Sequence, residues 1–156
     1  MHDIPNTVYK ALKNLLNQDV WMTNIHLLGG AEMIQAAREA KEHSKSKALL
    51  IGVTVLTSLD GNNIKNMGFS IQISELVKIL SISAKKNDID GVVCSAQEVP
   101  EIKGNIGIDF ITVTPGIRIE QNKNDQSRVT TLEEATKNGS DSVSYTHLTL
   151  PTKRIV

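Results

Sequence analysis

The chain has 156 residues, enough for one domain with a hydrophobic core. Hydrophobic residues make up 40% and charged residues 22%, which excludes disordered and collagen-like chains. Basic and acidic residues both number 17, so no excess of positive charge favours a nucleic acid or a membrane surface as partner. A small molecule is the expected ligand.

The cysteine content and the apolar stretches bear on the cellular setting. Cys94 is the only cysteine, so an internal disulfide is excluded and a reducing, cytoplasmic setting is favoured. No apolar stretch reaches the roughly 18 residues that span a bilayer, and the N-terminus has no signal-peptide pattern.

Apolar spacing and turn residues predict an alternation of helices and strands. In chain order they predict a helix at residues 5–17, strand 20–28, helix 33–40, strand 49–55, a polar connection 57–68, helix 73–86, strand 91–94, a helical turn region 97–103, strand 110–113, and a last helix that a capping box at 130–133 opens and Asn138-Gly139 closes. This order implies parallel βαβ units, hence an α/β fold that is a barrel or an open doubly wound sheet. Four strands cannot close an eight-stranded barrel.

Polar residues collect where the predicted strands end. These residues are His26, Thr57, Ser58, Ser95 and the segment Thr114-Pro115-Gly116-Ile117-Arg118. In a barrel such positions form the carboxyl-terminal face, which carries the active site.

Two residues of these strands invite other interpretations. His26 has no second ligand at metal-binding spacing, so we interpret it as a hydrogen-bonded histidine at a strand end rather than as a zinc ligand. Cys94 has no nearby base that would make it a nucleophile, so we interpret it as a buried strand cysteine.

Several motifs together resemble the orotidine 5′-phosphate decarboxylase family. The first, His2-Asp3-Ile4-Pro5-Asn6-Thr7, matches the second half of the family signature Asp-x-Lys-x-x-Asp-Ile-Pro-x-Thr. The others are Asn24-Ile25-His26 with Gly29-Gly30, Val53-Thr54-Val55-Leu56-Thr57-Ser58, and Thr112-Val113-Thr114-Pro115-Gly116-Ile117-Arg118 followed by Asn124-Asp125-Gln126. Residues 1–143 are accordingly expected to be part of a (β/α)8 TIM barrel, about strands 4 to 7 with their helices.

The resemblance implies an activity and an assembly. The family converts orotidine 5′-phosphate to uridine 5′-phosphate and CO2 in de novo pyrimidine synthesis, as homodimers with shared active sites and with neither metal nor organic cofactor. Asp3 matches the last Asp of the family's Lys-Asp-Lys-Asp array and reaches the partner's site together with Ile4 and Thr7. The alternative for Asp3 is a cap of the helix that follows it.

The resemblance also assigns substrate-binding residues. Thr57 matches a residue that hydrogen-bonds the pyrimidine, Arg118 one that binds the phosphate, and Gln126 one that contacts the nucleotide near the phosphate. Each taken alone would more commonly be a loop or turn residue.

The catalytic Lys of the signature would precede Met1, so we expect it to be absent from this chain. The last 13 residues, 144–156, depart from the family, and residues 143–152 back-translate to a transposase adapter of sequencing libraries, so we expect a non-native tail.

A non-catalytic fragment is therefore one alternative. The other is a magnesium-dependent sugar-phosphate decarboxylase or synthase of the same superfamily, which Pro5-Asn6-Thr7 and Leu56-Thr57-Ser58 disfavour.

Overall fold

The computed structural model describes residues 1–118 and 130–144 of the chain. Within them, helices and strands alternate along the sequence. In chain order they are α1 (Pro5–Leu16), β1 (Met22–His26), a 3-10 turn (Leu27–Gly29), α2 (Ala31–His43), β2 (Leu49–Val53), α3 (Gly61–Asn66), α4 (Ile73–Lys86), β3 (Gly91–Val93), α5 (Val99–Ile106), β4 (Ile111–Thr114), β5 (Ile117–Arg118), β6 (Thr130–Thr131), α6 (Leu132–Lys137) and β7 (Ser142–Val143).

The main sheet has five strands in the order β1-β2-β3-β4-β7, and every neighbouring pair is parallel. Met1 lies beside β1 at the edge of the sheet. Its nitrogen donates to the Asn24 carbonyl (2.9 Å), and its carbonyl accepts from the His26 N–H (2.8 Å). These two bonds have the pattern of a parallel pairing, so the chain just before Asp3 runs in the same direction as the five strands.

One face of the main sheet packs against helices. Ile25, Leu50 and Val92 point to this face and are fully buried with Val8 and Leu12 of α1 in one hydrophobic cluster. Helix α1 presents its apolar residues at the spacing of one helical stripe, and proline at its first position needs no hydrogen-bond partner for the missing N–H. The opposite face, here called the inner face, carries the alternate residues of the same strands.

The predicted alternation of helices and strands is confirmed, with shifts of a few residues at the ends of elements. The sheet has a fifth strand that the sequence did not predict, β7, which pairs with β4 through Val113↔Ser142 and Thr114↔Val143. A separate pair, β5 and β6, was not predicted either. The last helix begins one residue later than its predicted capping box, because Thr131 rather than Thr130 caps it by accepting from the Glu134 N–H.

The connection after β2 contains a short helix, α3, where the sequence predicted only a polar segment. Asp60 caps it: its carboxylate accepts from the Asn63 N–H (2.8 Å), and the Asn63 side chain accepts from the Asp60 N–H (2.9 Å). Gly61, Asn62 and Asn63 have low helix propensity, so this reciprocal cap rather than propensity stabilises the turn. Ile64 anchors it in the core.

Candidate functional site

The inner face of the main sheet is the floor of an open cavity of about 830 Å³. This is within the size range of small-molecule sites. The lining is mostly apolar, and polar groups are concentrated toward the carboxyl-terminal ends of the strands. It consists of Trp21, Met22, Asn24, His26, Ile51, Val53, Val55, Leu56, Thr57, Ser58, Val93, Val113, Pro115, Ser142, Val143 and Ser144. None of these residues carries an acidic or permanently basic side chain.

Of the strand-end residues singled out in the sequence, His26, Thr57, Ser58 and Pro115 line this cavity. Thr57 is only 7% exposed and lies on the cavity wall. A buried hydroxyl on a cavity wall can donate one hydrogen bond and accept others. Thr57 is therefore available to hold a polar ligand.

Ser95 and Thr114 do not line the cavity. The Ser95 N–H donates to the Glu98 carboxylate (2.8 Å) at the start of α5. The Thr114 hydroxyl shares a hydrogen bond with that of Ser140 (2.8 Å). Both residues are buried, and each bonds to a residue of the segment that connects its strand to the next one in the main sheet. In the described structure they therefore stabilise these connections and do not face the cavity.

His26 ends β1, and its ring contacts the ring of His2. The two imidazole rings stack, with centroids 5.6 Å apart and planes inclined by 12°. The backbone N–H of His26 donates to the Met1 carbonyl (2.8 Å), so His26 is hydrogen-bonded at the strand end through its main chain, whereas a hydrogen bond of its ring stays a prediction. Burial lowers the pKa of His26, and the neighbouring His2 adds to this shift, which favours the neutral form of the ring.

Asp3, Ile4 and Thr7 lie outside the cavity, between the edge of β1 and the first turn of α1. All three are exposed, Ile4 to 66%. The Asp3 carboxylate accepts from the Ile4 N–H (2.7 Å). Ile4 is the N-cap residue of α1, and no side chain caps the helix, so the interpretation of Asp3 as the helix cap is wrong.

The segment after β4 turns at Gly116, whose φ of +76° is in the region that favours glycine. The turn leads into β5, where Arg118 pairs with Thr131 of β6. Pro115, at the start of the turn, lines the cavity. Arg118 therefore comes only a few residues after the cavity wall in the sequence. Gln126 and residues 145–156 lie outside the described residues.

The sequence did not identify two parts of this site. It gave no role to Asn24, and it did not predict the contact between His2 and His26. Asn24 could have been found from the alternation of side chains along β1, which places Met22, Asn24 and His26 on the same face of the strand. Cys94 is buried, as predicted.

Metal and membrane features can be assessed for the described ranges only. Across residues 1–118 and 130–144, no three His, Cys, Asp or Glu side chains are grouped as ligands for a metal ion. No helix in these ranges is long and apolar enough to cross a membrane.

A family model described as "Orotidine 5'-phosphate decarboxylase / HUMPS family" matches residues 1–144. Two curated proteins named orotidine 5′-phosphate decarboxylase are similar to the chain. The one from Carboxydothermus hydrogenoformans is 51% identical over 146 residues, which are 90% of this chain and 61% of that protein. The one from Saccharophagus degradans is 49% identical, over 90% of this chain and 59% of that protein. The chain thus spans about three fifths of the length of these relatives.

Solved structures agree with the fold. The crystal structure of orotidine 5′-phosphate decarboxylase from Lactobacillus acidophilus matches with a TM-score of 0.78 and 36% identity, over 92% of this chain and 62% of that one. A conserved protein from Geobacillus kaustophilus matches with the same TM-score and 33% identity, over the same shares of the two chains. The five parallel strands are therefore part of a TIM barrel, as the sequence predicted.

Proposed function

Because the chain belongs to the orotidine 5′-phosphate decarboxylase / HUMPS family, we propose that it is part of an orotidine 5′-phosphate decarboxylase. The enzyme would convert orotidine 5′-phosphate to uridine 5′-phosphate and CO2 in de novo pyrimidine synthesis. The observation that carries this proposal is the identity of about half of all aligned residues with relatives of that name, across 90% of the chain.

The chemistry requires charges that the described cavity wall does not contain. Loss of CO2 leaves negative charge on carbon 6 of the pyrimidine, and a lysine ammonium would stabilise and then protonate it. A fixed carboxylate near the departing carboxylate destabilises the ground state more than the transition state. We assign this carboxylate to Asp3 and place the lysine outside the 156 residues, in the part of the relatives that the chain does not span. No metal or organic cofactor takes part in this scheme.

The neutral cavity wall suits the pyrimidine end of the substrate. Thr57 would hydrogen-bond the base, which its position on the cavity wall supports. Arg118 would bind the phosphate, since its planar fork fits two phosphate oxygens and barrel enzymes commonly hold phosphate after the seventh strand. Gln126 would contact the nucleotide near the phosphate.

The exposed positions of Asp3, Ile4 and Thr7 support a homodimer with shared sites. These side chains lie at the sheet edge with no role in the core, where a second subunit could receive them. We therefore propose that Asp3, Ile4 and Thr7 complete the partner's site. We further propose a cytoplasmic enzyme, with a single reduced cysteine, that binds neither nucleic acid nor membrane.

For the whole chain, we propose that residues 1–143 are the barrel part and that residues 144–156 are a non-native tail, whose first residue, Ser144, still donates its N–H to the Thr114 carbonyl (3.0 Å). The 156 residues alone should then be inactive. The test is a chimera in which residues 1–143 replace the matching segment of the Carboxydothermus hydrogenoformans relative, referred to below as the chimera. It should form uridine 5′-phosphate from orotidine 5′-phosphate without added metal.

The controls are the unmodified relative and an empty-vector preparation. A chimera that unfolds cooperatively on heating but does not decarboxylate, beside an active relative, would contradict the proposal. A requirement for Mg²⁺, with turnover of a keto-sugar phosphate instead, would favour the sugar-phosphate enzymes of the same superfamily.

A further inference from the structure

The segment that carries Asp3 is fixed on both sides, although Asp3 itself is not. After Asp3, helix α1 is anchored in the core by Val8 and Leu12, which are at most 1% exposed. Asp3 makes only the bond to the Ile4 N–H that follows it in the chain. In the described residues no other element contacts its carboxylate through a hydrogen bond or ion pair. The direction of this carboxylate therefore depends on what holds the residues before it.

His26 holds those residues in two ways. Its backbone N–H donates to the Met1 carbonyl (2.8 Å), which pairs the segment with β1. Its ring stacks on the ring of His2, the residue next to Asp3, with centroids 5.6 Å apart. The backbone bond fixes the register of the segment against β1. The ring stack fixes the orientation of the His2 side chain, which is adjacent to Asp3.

Gly29 supports the same arrangement from the turn after β1. A Cβ atom on Gly29 would lie 2.1 Å from the Met33 sulfur and 3.4 Å from Cδ2 of His2. The turn therefore passes close to the His2 ring, and a larger residue there would displace Met33 of α2. The His2 ring has His26 on one side of it and this turn within contact distance.

We infer that His26 is a positioning residue for Asp3: the stacked His2–His26 pair sets the direction in which Asp3 leaves the sheet. The inference rests on the proposed function for its catalytic consequence, since Asp3 is the carboxylate assigned to the reaction. The rival explanation is that His26 contacts the substrate directly, because its ring also lines the cavity. The two explanations differ in whether the ring nitrogens are needed.

The test uses three variants of the chimera. His26→Ala removes the stack, His26→Phe keeps a flat ring without nitrogen atoms, and His43→Ala is the control. His43 contacts Tyr9 on the helix side of the molecule, where its ring hydrogen-bonds the tyrosine hydroxyl (2.8 Å). Two quantities are measured: amide hydrogen exchange without ligand at Ile4, whose N–H is bonded to the Asp3 carboxylate, and kcat and KM for orotidine 5′-phosphate.

His26→Ala should speed exchange at Ile4 by about twofold to tenfold, the range that loss of one ring stack implies. It should lower kcat by about tenfold or more with little change in KM, because a misdirected carboxylate affects the transition state rather than binding. His26→Phe should restore both values to within about threefold of the parent. His43→Ala should alter neither.

Unchanged exchange in His26→Ala would overturn the inference, and so would a His26→Phe variant as impaired as His26→Ala. A raised KM in both variants would assign His26 to substrate contact. If the folded chimera has no decarboxylase activity, the proposed function fails. The exchange data then still decide whether His26 fixes the Asp3 segment.

Discussion

Asp90 and Asp141 make the same contacts at two places along the amino-terminal edge of the sheet. Each precedes a strand, and its carboxylate accepts from a backbone N–H of a neighbouring strand: Leu50 in β2 for Asp90 and Thr112 in β4 for Asp141, both at 2.7 Å. Each also receives a lysine from a preceding helix, Lys41 for Asp90 (2.5 Å) and Lys103 for Asp141 (2.7 Å). The two aspartates thus tie strand to strand and helix to sheet.

Asp141→Ala should lower the free energy of unfolding of the chimera at pH 7 by about 1–2 kcal/mol. The change leaves the Thr112 N–H and Lys103 without their charged partner, and partial exposure of Asp141 reduces the loss. The control Glu101→Ala breaks an exposed 3.7 Å pair with Lys78 and should cost less than about 0.5 kcal/mol. Urea denaturation measures both.

The contribution of Asp141 should depend on pH. Burial opposes its ionisation, but hydrogen bonds from Lys103 and Thr112 outweigh burial and hold the pKa of Asp141 below its ordinary value. A carboxyl with a lowered folded-state pKa stabilises the fold above its unfolded pKa of about 4 and loses that effect as pH falls through the folded value. The difference between parent and Asp141→Ala should therefore be constant above about pH 5 and shrink below about pH 4. A difference that grew in acid would contradict this assignment.

Two glycines form a matched pair for testing the packing of the sheet. A Cβ on Gly91 would lie 2.2 Å from the Ile111 carbonyl oxygen and 2.6 Å from the Ile111 Cβ, whereas one on Gly104 would meet no atom within 4 Å. Gly91→Ala should destabilise the chimera by about 2–3 kcal/mol, because a strand backbone must move. Gly104→Ala, in α5, should stabilise it by about 0.5–1 kcal/mol. Equal effects in thermal unfolding would refute the pairing of β3 with β4.

Ser81 in α4 is a buried polar residue whose removal should help. Its hydroxyl is fully buried and has no hydrogen-bond partner among the described residues. Ser81→Ala should raise the free energy of unfolding by about 1 kcal/mol, since an unsatisfied polar group is lost and helix propensity improves. Ser83→Ala, at a half-buried position of the same helix, should raise the free energy of unfolding less, because it only improves the helix propensity. A destabilised Ser81→Ala would indicate a partner for the hydroxyl.

Arg118 can be tested against an arginine elsewhere on the chain. In the chimera Arg118→Ala should weaken binding of uridine 5′-phosphate and lower kcat/KM, at a cost of about 1.5–3 kcal/mol for a lost charged hydrogen-bonding partner of phosphate. Arg38→Ala, which removes an exposed arginine paired with Glu42 on α2, is the control and should leave both unchanged. Unchanged affinity and efficiency in Arg118→Ala would place this residue outside the phosphate site.

The shared site that we propose for Asp3 predicts the outcome of a complementation experiment. Asp3→Asn in the chimera and a substitution of the catalytic lysine should each be nearly inactive. Mixing them through dissociation and reassociation should restore roughly a quarter of the parental activity, because about half of the dimers are mixed and each has one intact site. Asp3→Asn mixed with itself is the control. A mixture that stays inactive would assign Asp3 to the site of its own subunit.

The sequence predicted the elements whose patterns are long and missed those that depend on neighbours. The apolar run at residues 49–55 and the helical spacing in residues 73–86 specify their own structure. Ser142 and Val143 form a strand only because β4 offers an edge for pairing, which no local pattern reveals.

The same distinction applies to the site. Thr57 could be placed in the cavity because it follows a recognisable strand. The contact of His2 with His26 could not, since it depends on Met1 bonding to Asn24 across 23 residues of sequence. Contacts set by the register of distant strands are tertiary, and local periodicity does not encode them.

The wholly parallel sheet has a consequence for how the chain acquires its structure. At least one helix lies between each pair of neighbouring strands in the main sheet, so no hairpin can serve as a local starting point. Asp90 bonds to Leu50 across 40 residues and Asp141 to Thr112 across 29. Contacts of such separation require large loops to close first, which makes folding slow compared with that of a helical bundle of equal length. During that interval the unpaired strands of a newly made chain are open to intermolecular pairing, so synthesis rate and temperature should govern its yield.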